Sequence, residues 1–124
     1  MNTLKTTVKD KVALVALDRG KSNAINTEMV AELRQTIKSI ESNPAIGGII
    51  LTGKDGFFSA GLDLIELYDY DDYAIKEFWN NFLSLTAEML AFKKPLVAAI
   101  SGHSPAGGCG LALCADYRIM REGR

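Results

Sequence analysis

Apolar positions follow two rhythms along this chain, one with a period of two and one with the period of a helix. Leu4 to Val8 and Val12 to Leu17 are strand-like runs separated by Lys9-Asp10-Lys11, which predicts a hairpin. After the loop Arg19-Gly20-Lys21-Ser22, either Asn26 or Thr27 can cap a helix whose apolar stripe is Met29, Val30, Leu33, Ile37 and Ile40. That helix is expected to end near Asn43-Pro44. Ile46 to Thr52 carries no charge, as a strand buried in a parallel sheet would. Gly53-Lys54-Asp55-Gly56 is turn chemistry. The acidic run Asp69 to Asp72 then starts a second long helix. Its stripe is Ile75, Phe78, Trp79, Phe82, Leu85 and Met89, with Thr86 as the polar exception. Trp79 is assigned to the core on this spacing. Lys93-Lys94-Pro95 closes the helix, Leu96 to Ser101 is the next buried strand, Gly107 to Ala115 a small-residue helix, and Tyr117 to Met120 a further strand. The alternation predicts an α/β sheet layered with helices.

Two segments interrupt this alternation with glycine: Phe57-Phe58-Ser59-Ala60-Gly61-Leu62-Asp63-Leu64 and Gly102-His103-Ser104-Pro105-Ala106-Gly107-Gly108-Cys109-Gly110. Each follows a strand-like run and leads into a helix-like one. Glycine at such a junction lets a ligand oxygen approach the main chain, and a helix start leaves N–H groups unpaired. Two junctions side by side offer two N–H donors to one oxygen, the arrangement of an oxyanion hole. Taken alone, the first segment reads rather as a tight turn with Asp63 as a capping carboxylate. The second is equally a helix start kept small for packing.

Composition changes this picture little. Hydrophobic residues make up 48% and charged residues 23% of 124 residues, enough for one ordinary globular core and no more. A net charge of -1 gives no reason to expect nucleic acid or a membrane as partner. No apolar stretch has the length to span a bilayer, and Met1-Asn2-Thr3-Leu4-Lys5 lacks a signal-peptide core, so the expectation is a cytoplasmic, most simply bacterial, protein. Cys109 and Cys114 form no CxxC pair; they are expected to be reduced and buried, and no metal cluster is visible.

Other chemistry fits less well. Gly102-His103-Ser104-Pro105-Ala106 resembles a nucleophile elbow, but the single histidine is the neighbour of Ser104 and is poorly placed to activate it. His103 reads as a loop residue, the run 69–72 as a solvated helix start, and Asp63 and Glu66 as capping or solvated carboxylates.

Together, and in this order, the two segments resemble the crotonase, or enoyl-CoA hydratase/isomerase, superfamily. Asn23-Ala24-Ile25-Asn26 is similar to an early family stretch, residues 59–64 to its first glycine loop, and Ala99-Ile100-Ser101-Gly102 with residues 105–109 to its second. With Asp116-Tyr117-Arg118-Ile119, the chain is most similar to the monofunctional Δ3,Δ2-enoyl-CoA isomerases. The resemblance implies the N-terminal portion of a crotonase-like spiral of ββα units, with residues 1–124 forming one acyl-CoA-binding core. It implies that the N–H groups of Leu62 and Gly107 hold the thioester oxygen. Ala24, Asn26, Ala60, Gly61, Leu62, Asp63, Leu64 and Gly107 would line the CoA and acyl path. It further implies an isomerase of fatty-acid oxidation with no metal or redox cofactor, CoA thioester being the substrate, and a homotrimer or hexamer in the full-length parent.

Two departures from the family pattern stand out. Family hydratases carry a glutamate where this chain has Gly110, which favours isomerisation, because moving one proton needs one base while hydration uses two carboxylates. The isomerase glutamate itself is expected beyond Arg124, so no residue here takes that role. The lack of a closing element at Arg121-Glu122-Gly123-Arg124 also predicts the front half of a longer protein. The alternatives are a hydratase or another crotonase-type thioester enzyme, a non-catalytic CoA-thioester binder, and a hydrolase using Ser104.

Overall fold

The computed structural model describes residues 2–120 and 122; the ending read from Arg121, Gly123 and Arg124, and Met1, lie outside the described residues. The first hairpin forms as expected. Strand β1 (Leu4–Lys9) pairs antiparallel with β2 (Val12–Leu17), and Asp10 and Lys11 both take positive φ (52° and 67°), the turn that matches strand twist. Helix α1 (Thr27–Glu41) follows, capped by Asn26, whose side chain accepts from the Met29 N–H at 2.9 Å. It ends at Glu41, short of Asn43-Pro44. There the Lys94 ammonium collects the carbonyls of Ile40, Asn43 and Ile46 at 2.7, 2.7 and 2.6 Å, placing a cation at a helix C-terminus.

Strand β3 (Gly48–Thr52) starts two residues later than the apolar run suggested. Ile46 still belongs to the turn, its N–H bonding the Asn43 carbonyl at 3.1 Å, and Gly47 leads into the strand with its N–H on the Lys11 carbonyl at 2.7 Å. After it come the short strand β4 (Gly56–Phe57), helices α2 (Leu64–Tyr68) and α3 (Asp72–Leu90), strands β5 (Leu96–Ile100) and β6 (Gly102–His103), helix α4 (Ala106–Leu113) and strand β7 (Tyr117–Met120). Two strands then helix therefore repeats: β1-β2-α1, β3-β4-α2-α3, β5-β6-α4. The larger sheet runs β1-β2-β3-β5-β7, parallel from β2 onward; β4 and β6 form a small parallel sheet of their own. Asp116 fixes the last register by exchanging bonds with Leu96, each at 2.8 Å.

One sheet face is dry. Register places Ala13 beside Ile49 and Leu96, and Val15 beside Leu51 and Ala98. All six are buried, in one core with Met29, Leu33 and Ile37 of α1 and Phe78, Leu85 and Met89 of α3. Burying a side chain of this size contributes about 1.5–3 kcal/mol, so this layer dominates the stability of the unit. The other face carries Leu14, Ile50, Val97 and Tyr117 in one cross-strand row. Its outer members are exposed, Leu14 by 40% and Tyr117 by 65%, so the sheet is covered on one side only by the described residues.

Two expectations fail. Trp79 is 43% exposed, outside the core. Although it falls on the stripe by spacing, it lies at the edge of the covered face, edge-on against Phe78 and Phe82 with ring centroids at 6.0 and 6.1 Å. Cys109 is exposed, on the outward side of α4, while Cys114 is buried, and burial pushes its thiol pKa up.

Candidate functional site

The site grows from three loops that meet at the C-terminal ends of the parallel strands. The first spans residues 19–26. Asn23 takes the left-handed conformation (φ 53°), which asparagine tolerates, and is fully buried. Its side chain accepts from the Arg19 N–H at 2.8 Å and donates to the Phe58 carbonyl at 3.1 Å. Ser59, also fully buried, donates its hydroxyl to the Asn23 carbonyl at 2.8 Å and accepts from the Gly61 N–H at 3.1 Å. Ala60 donates to the Ser22 carbonyl at 2.8 Å. The second loop is thus laced to the first by polar groups that would be costly to leave unpaired.

Around Leu62 this lacing becomes a two-bond bridge. Ile25 N–H donates to the Gly61 carbonyl at 2.7 Å, and Asp63 N–H donates to the Ile25 carbonyl at 2.8 Å. Gly61 has φ +99°, a conformation that side chains resist. In a trans peptide unit the C=O and N–H point in opposite directions. With the Gly61 oxygen turned toward Ile25, the Leu62 N–H points away from the first loop, and it has no hydrogen-bond partner among the described residues.

The third loop closes on it from the other side. Helix α4 starts after Pro105 with no side-chain cap, so the Gly107 N–H is also without a partner among the described residues. Ala106 stands at φ 48°, a strained value for an L residue costing about 1–2 kcal/mol. Contact between the loops leaves little room at Gly61 and none at Gly108. A methyl built on Gly61 would stand 3.1 Å from the Gly107 nitrogen, and one on Gly107 3.4 Å from the Leu62 nitrogen. One on Gly108 would strike the Ser59 carbonyl oxygen at 2.3 Å. Two free amides therefore lie against each other, framed by glycines.

The charged groups nearby are paired. Asp63 caps α2 by accepting from the Glu66 N–H at 3.0 Å and binds Arg19 Nη1 at 2.8 Å. These backbone hydrogen bonds, then the Arg19 guanidinium, hold its carboxyl pKa below the usual 3.8 against the opposing effect of burial. Asn26 donates to Glu66 at 3.3 Å, and Tyr70 bridges Glu66 (3.2 Å) and Thr27 (2.7 Å). The Asn26 side chain is thereby engaged with both α1 and α2. Ala24, Ala60, Gly61, Leu62, Asp63 and Gly107 are all brought together here. The Leu64 side chain instead points out, 71% exposed, from the first turn of α2.

Ser104 and His103 do not form a catalytic pair. The His103 ring packs against Phe57, centroids 5.2 Å apart, and the buried Ser104 hydroxyl has no protein partner among the described residues. No group of three or more His, Cys, Asp or Glu able to hold a metal ion occurs among the described residues, and no described helix is long and apolar enough to cross a membrane. The roles of Arg19, Asn23 and Ser59 were not visible in sequence. A lone polar residue between apolar runs does not reveal its partner, and all three find theirs across a loop.

Comparison with known proteins identifies the family of the chain. Residues 7–123 match the enoyl-CoA hydratase/isomerase family. Enoyl-CoA delta isomerase 1 of Mus musculus is 40% identical over 112 residues, covering 90% of this chain and 39% of the relative. A putative enoyl-CoA hydratase of Thermus thermophilus is 36% identical over 118 residues, covering 92% and 47% respectively. The crystal structure of human mitochondrial delta3-delta2-enoyl-CoA isomerase superposes with a TM-score of 0.90 at 31% identity, covering 94% of this chain and 46% of that one. The chain thus spans about half or less of the length of these relatives. With its repeated ββα units and its two facing glycine loops, this chain belongs to the enoyl-CoA hydratase/isomerase family.

Proposed function

We propose that the full-length protein binds acyl-CoA thioesters and shifts the double bond of a 3-enoyl-CoA to position 2. The observation that carries this reading is the pair of amides, Leu62 N–H and Gly107 N–H, that have no hydrogen-bond partner among the described residues and are brought close together at Gly61 and Gly107. A thioester oxygen seated between them accepts both. When a base removes the proton from C2, the electron pair moves onto that oxygen and forms a dienolate. Return of the proton at C4 leaves the double bond between C2 and C3. Donors already in place are worth about 3–4 kcal/mol each to such a transition state. The α4 N-terminus adds its dipole at the same point. The base is expected among residues beyond Arg124.

Isomerase is favoured over hydratase by Gly110. Relatives of both kinds match the chain, but hydration handles water with two carboxylates, and residue 110 offers none. Space is not the obstacle, since nothing lies within 4 Å of a Cβ built there. The position has room for a carboxylate and lacks one.

The test is to give the full-length protein a 3-enoyl-CoA and identify the product. A 2-enoyl-CoA is expected from it, and no 3-hydroxyacyl-CoA when a 2-enoyl-CoA is offered in its place. No conversion of the 3-enoyl-CoA together with hydration of the 2-enoyl-CoA would make it a hydratase. Tight binding with no exchange of the C2 proton in heavy water would make it a binding protein. Gly107→Pro, which deletes one donor, should lower kcat about 10²–10³-fold. Full activity in a folded Gly107→Pro variant would mean the thioester oxygen sits elsewhere.

A further inference from the structure

A continuous line of hydrogen bonds runs from the Arg19 guanidinium to the free Leu62 amide. Arg19 Nη1 donates to the Ala24 carbonyl at 2.9 Å. That carbonyl belongs to the same peptide unit as the Ile25 N–H, which donates to the Gly61 carbonyl at 2.7 Å. The Gly61 carbonyl in turn shares its peptide unit with the Leu62 N–H. Two planar peptide units are thus set head to tail, a guanidinium at one end and an open donor at the other. We propose that Arg19 is a positioning residue for the Leu62 amide, fixing and polarising it through the Ala24–Ile25 and Gly61–Leu62 peptide units. The proposal rests on the reading of Leu62 as a donor to the thioester oxygen.

Three features support the assignment. Glycine at φ +99° is free to reorient, so the Gly61–Leu62 peptide would flip unless its carbonyl were held, and the Ile25 N–H holds it. The Ile25 peptide is itself part of a loop, and the Arg19 side chain holds its carbonyl side. Arg19 is fixed in turn at both ends: its N–H on Asn23 at 2.8 Å and its guanidinium on Asp63 at 2.8 Å, with Glu66 at 4.0 Å. Because Asp63 balances the charge, Arg19 acts through geometry and aligned dipoles rather than as a bare cation. Each donor in such a chain strengthens the next.

The experiment uses the full-length protein and an enoyl-CoA carrying a 13C-labelled thioester carbonyl, read by infrared difference spectroscopy. Wild-type binding should move the carbonyl stretch to lower frequency. Arg19→Gln should lose at least half of that displacement and lower kcat about tenfold with KM little changed, a smaller loss than deleting a donor outright. Arg19→Lys, which keeps the charge but not the planar guanidinium placed between Ala24, Asp63 and Glu66, should fall between. If Arg19→Gln does not fold, Arg19→Lys alone decides.

Arg34→Gln is the control. It breaks a comparable pairing, to Glu88 at 2.9 and 3.0 Å, on the far helices, and should lower stability without changing the carbonyl frequency. A folded Arg19 variant with the full displacement, or an equal loss in Arg34→Gln, would overturn the proposal. The amide resonance of Leu62 separates the two claims. If wild type shows no carbonyl displacement while Arg19→Gln still shifts the Leu62 N–H signal, the thioester reading fails and the positioning role stands.

Discussion

The two glycine loops face each other across the same point, yet they are held by different physics. The loop at Gly61 is fixed by hydrogen bonds to the 19–26 segment, through Asn23, Ser59 and the Ile25 bridge. The loop at Gly107 is tied at its start, where the His103 carbonyl accepts from the Phe58 and Ser59 N–H groups at 3.0 and 3.3 Å. From Pro105 onward it has no side-chain cap and a strained Ala106, and there it is held by shape, with Gly108 seated directly on the Ser59 carbonyl. A donor can be aimed by satisfying its neighbours or by leaving it no room to move. The first way tolerates changes of volume and suffers from loss of a polar atom. The second does the reverse.

The largest effect should come from adding volume to the second loop. In Gly108→Ala the new methyl meets backbone oxygen at 2.3 Å, and backbone cannot step aside cheaply. A loss of about 3 kcal/mol or more is expected in urea denaturation. A loss below about 1 kcal/mol would mean the contact is not what fixes this loop.

Next comes removal of a polar atom from the first loop. Ser59→Ala adds no volume but leaves the Asn23 carbonyl and Gly61 N–H unsatisfied in a fully buried place. About 1–3 kcal/mol should be lost, and the Gly61 amide should exchange with solvent faster than in wild type. Unchanged exchange would show that the lacing is redundant.

Acid should loosen the first loop before the second. The Asp63 pKa is lowered in the fold from 3.8, first by the α2 backbone N–H and then by Arg19. Its stabilising contribution is therefore complete above the unfolded value and lost as pH falls through the lower folded value. Asp63→Asn should flatten that part of the acid limb in a plot of stability against pH, with little change near neutrality beyond the lost ion pair. An acid limb of unchanged slope would place the titrating group elsewhere.

The smallest change is a gain. Gly110 lies in the same helix as Gly108, but nothing comes within 4 Å of its Cβ position, so Gly110→Ala should stabilise by about 0.5–1 kcal/mol through helix propensity. Opposite signs for alanine at two positions one residue apart from adjacency would sharpen the distinction between packing glycine and merely permitted glycine. Two losses would erase it.

Periodicity and caps were legible because they are local. The stripe Met29 to Ile40 with Asn26 before it is helix at any temperature of argument, and the core contains every one of its apolar members. Strand Tyr117–Met120 was likewise found to the residue. Trp79 escaped because a stripe defined by spacing does not say where the covering layer ends, and the indole lies just past that edge. Cys109 escaped for the same reason, on a helix apolar or small all round, whose outward side spacing alone does not mark.

The sequence by itself determined the order of the longer elements, though not the two-residue strands β4 and β6. It also determined the two glycine junctions and their resemblance to a thioester site, because each depends on residues within a few positions of one another. Only the tertiary structure decided that the Leu62 and Gly107 amides meet, that Arg19 reaches the Leu62 amide through two peptide units, and that Gly108 is locked where Gly110 is free. Those facts depend on the approach of chain segments tens of residues apart. Such an approach is set by the packing of the sheet and helices beneath the loops, which no single stretch of sequence encodes.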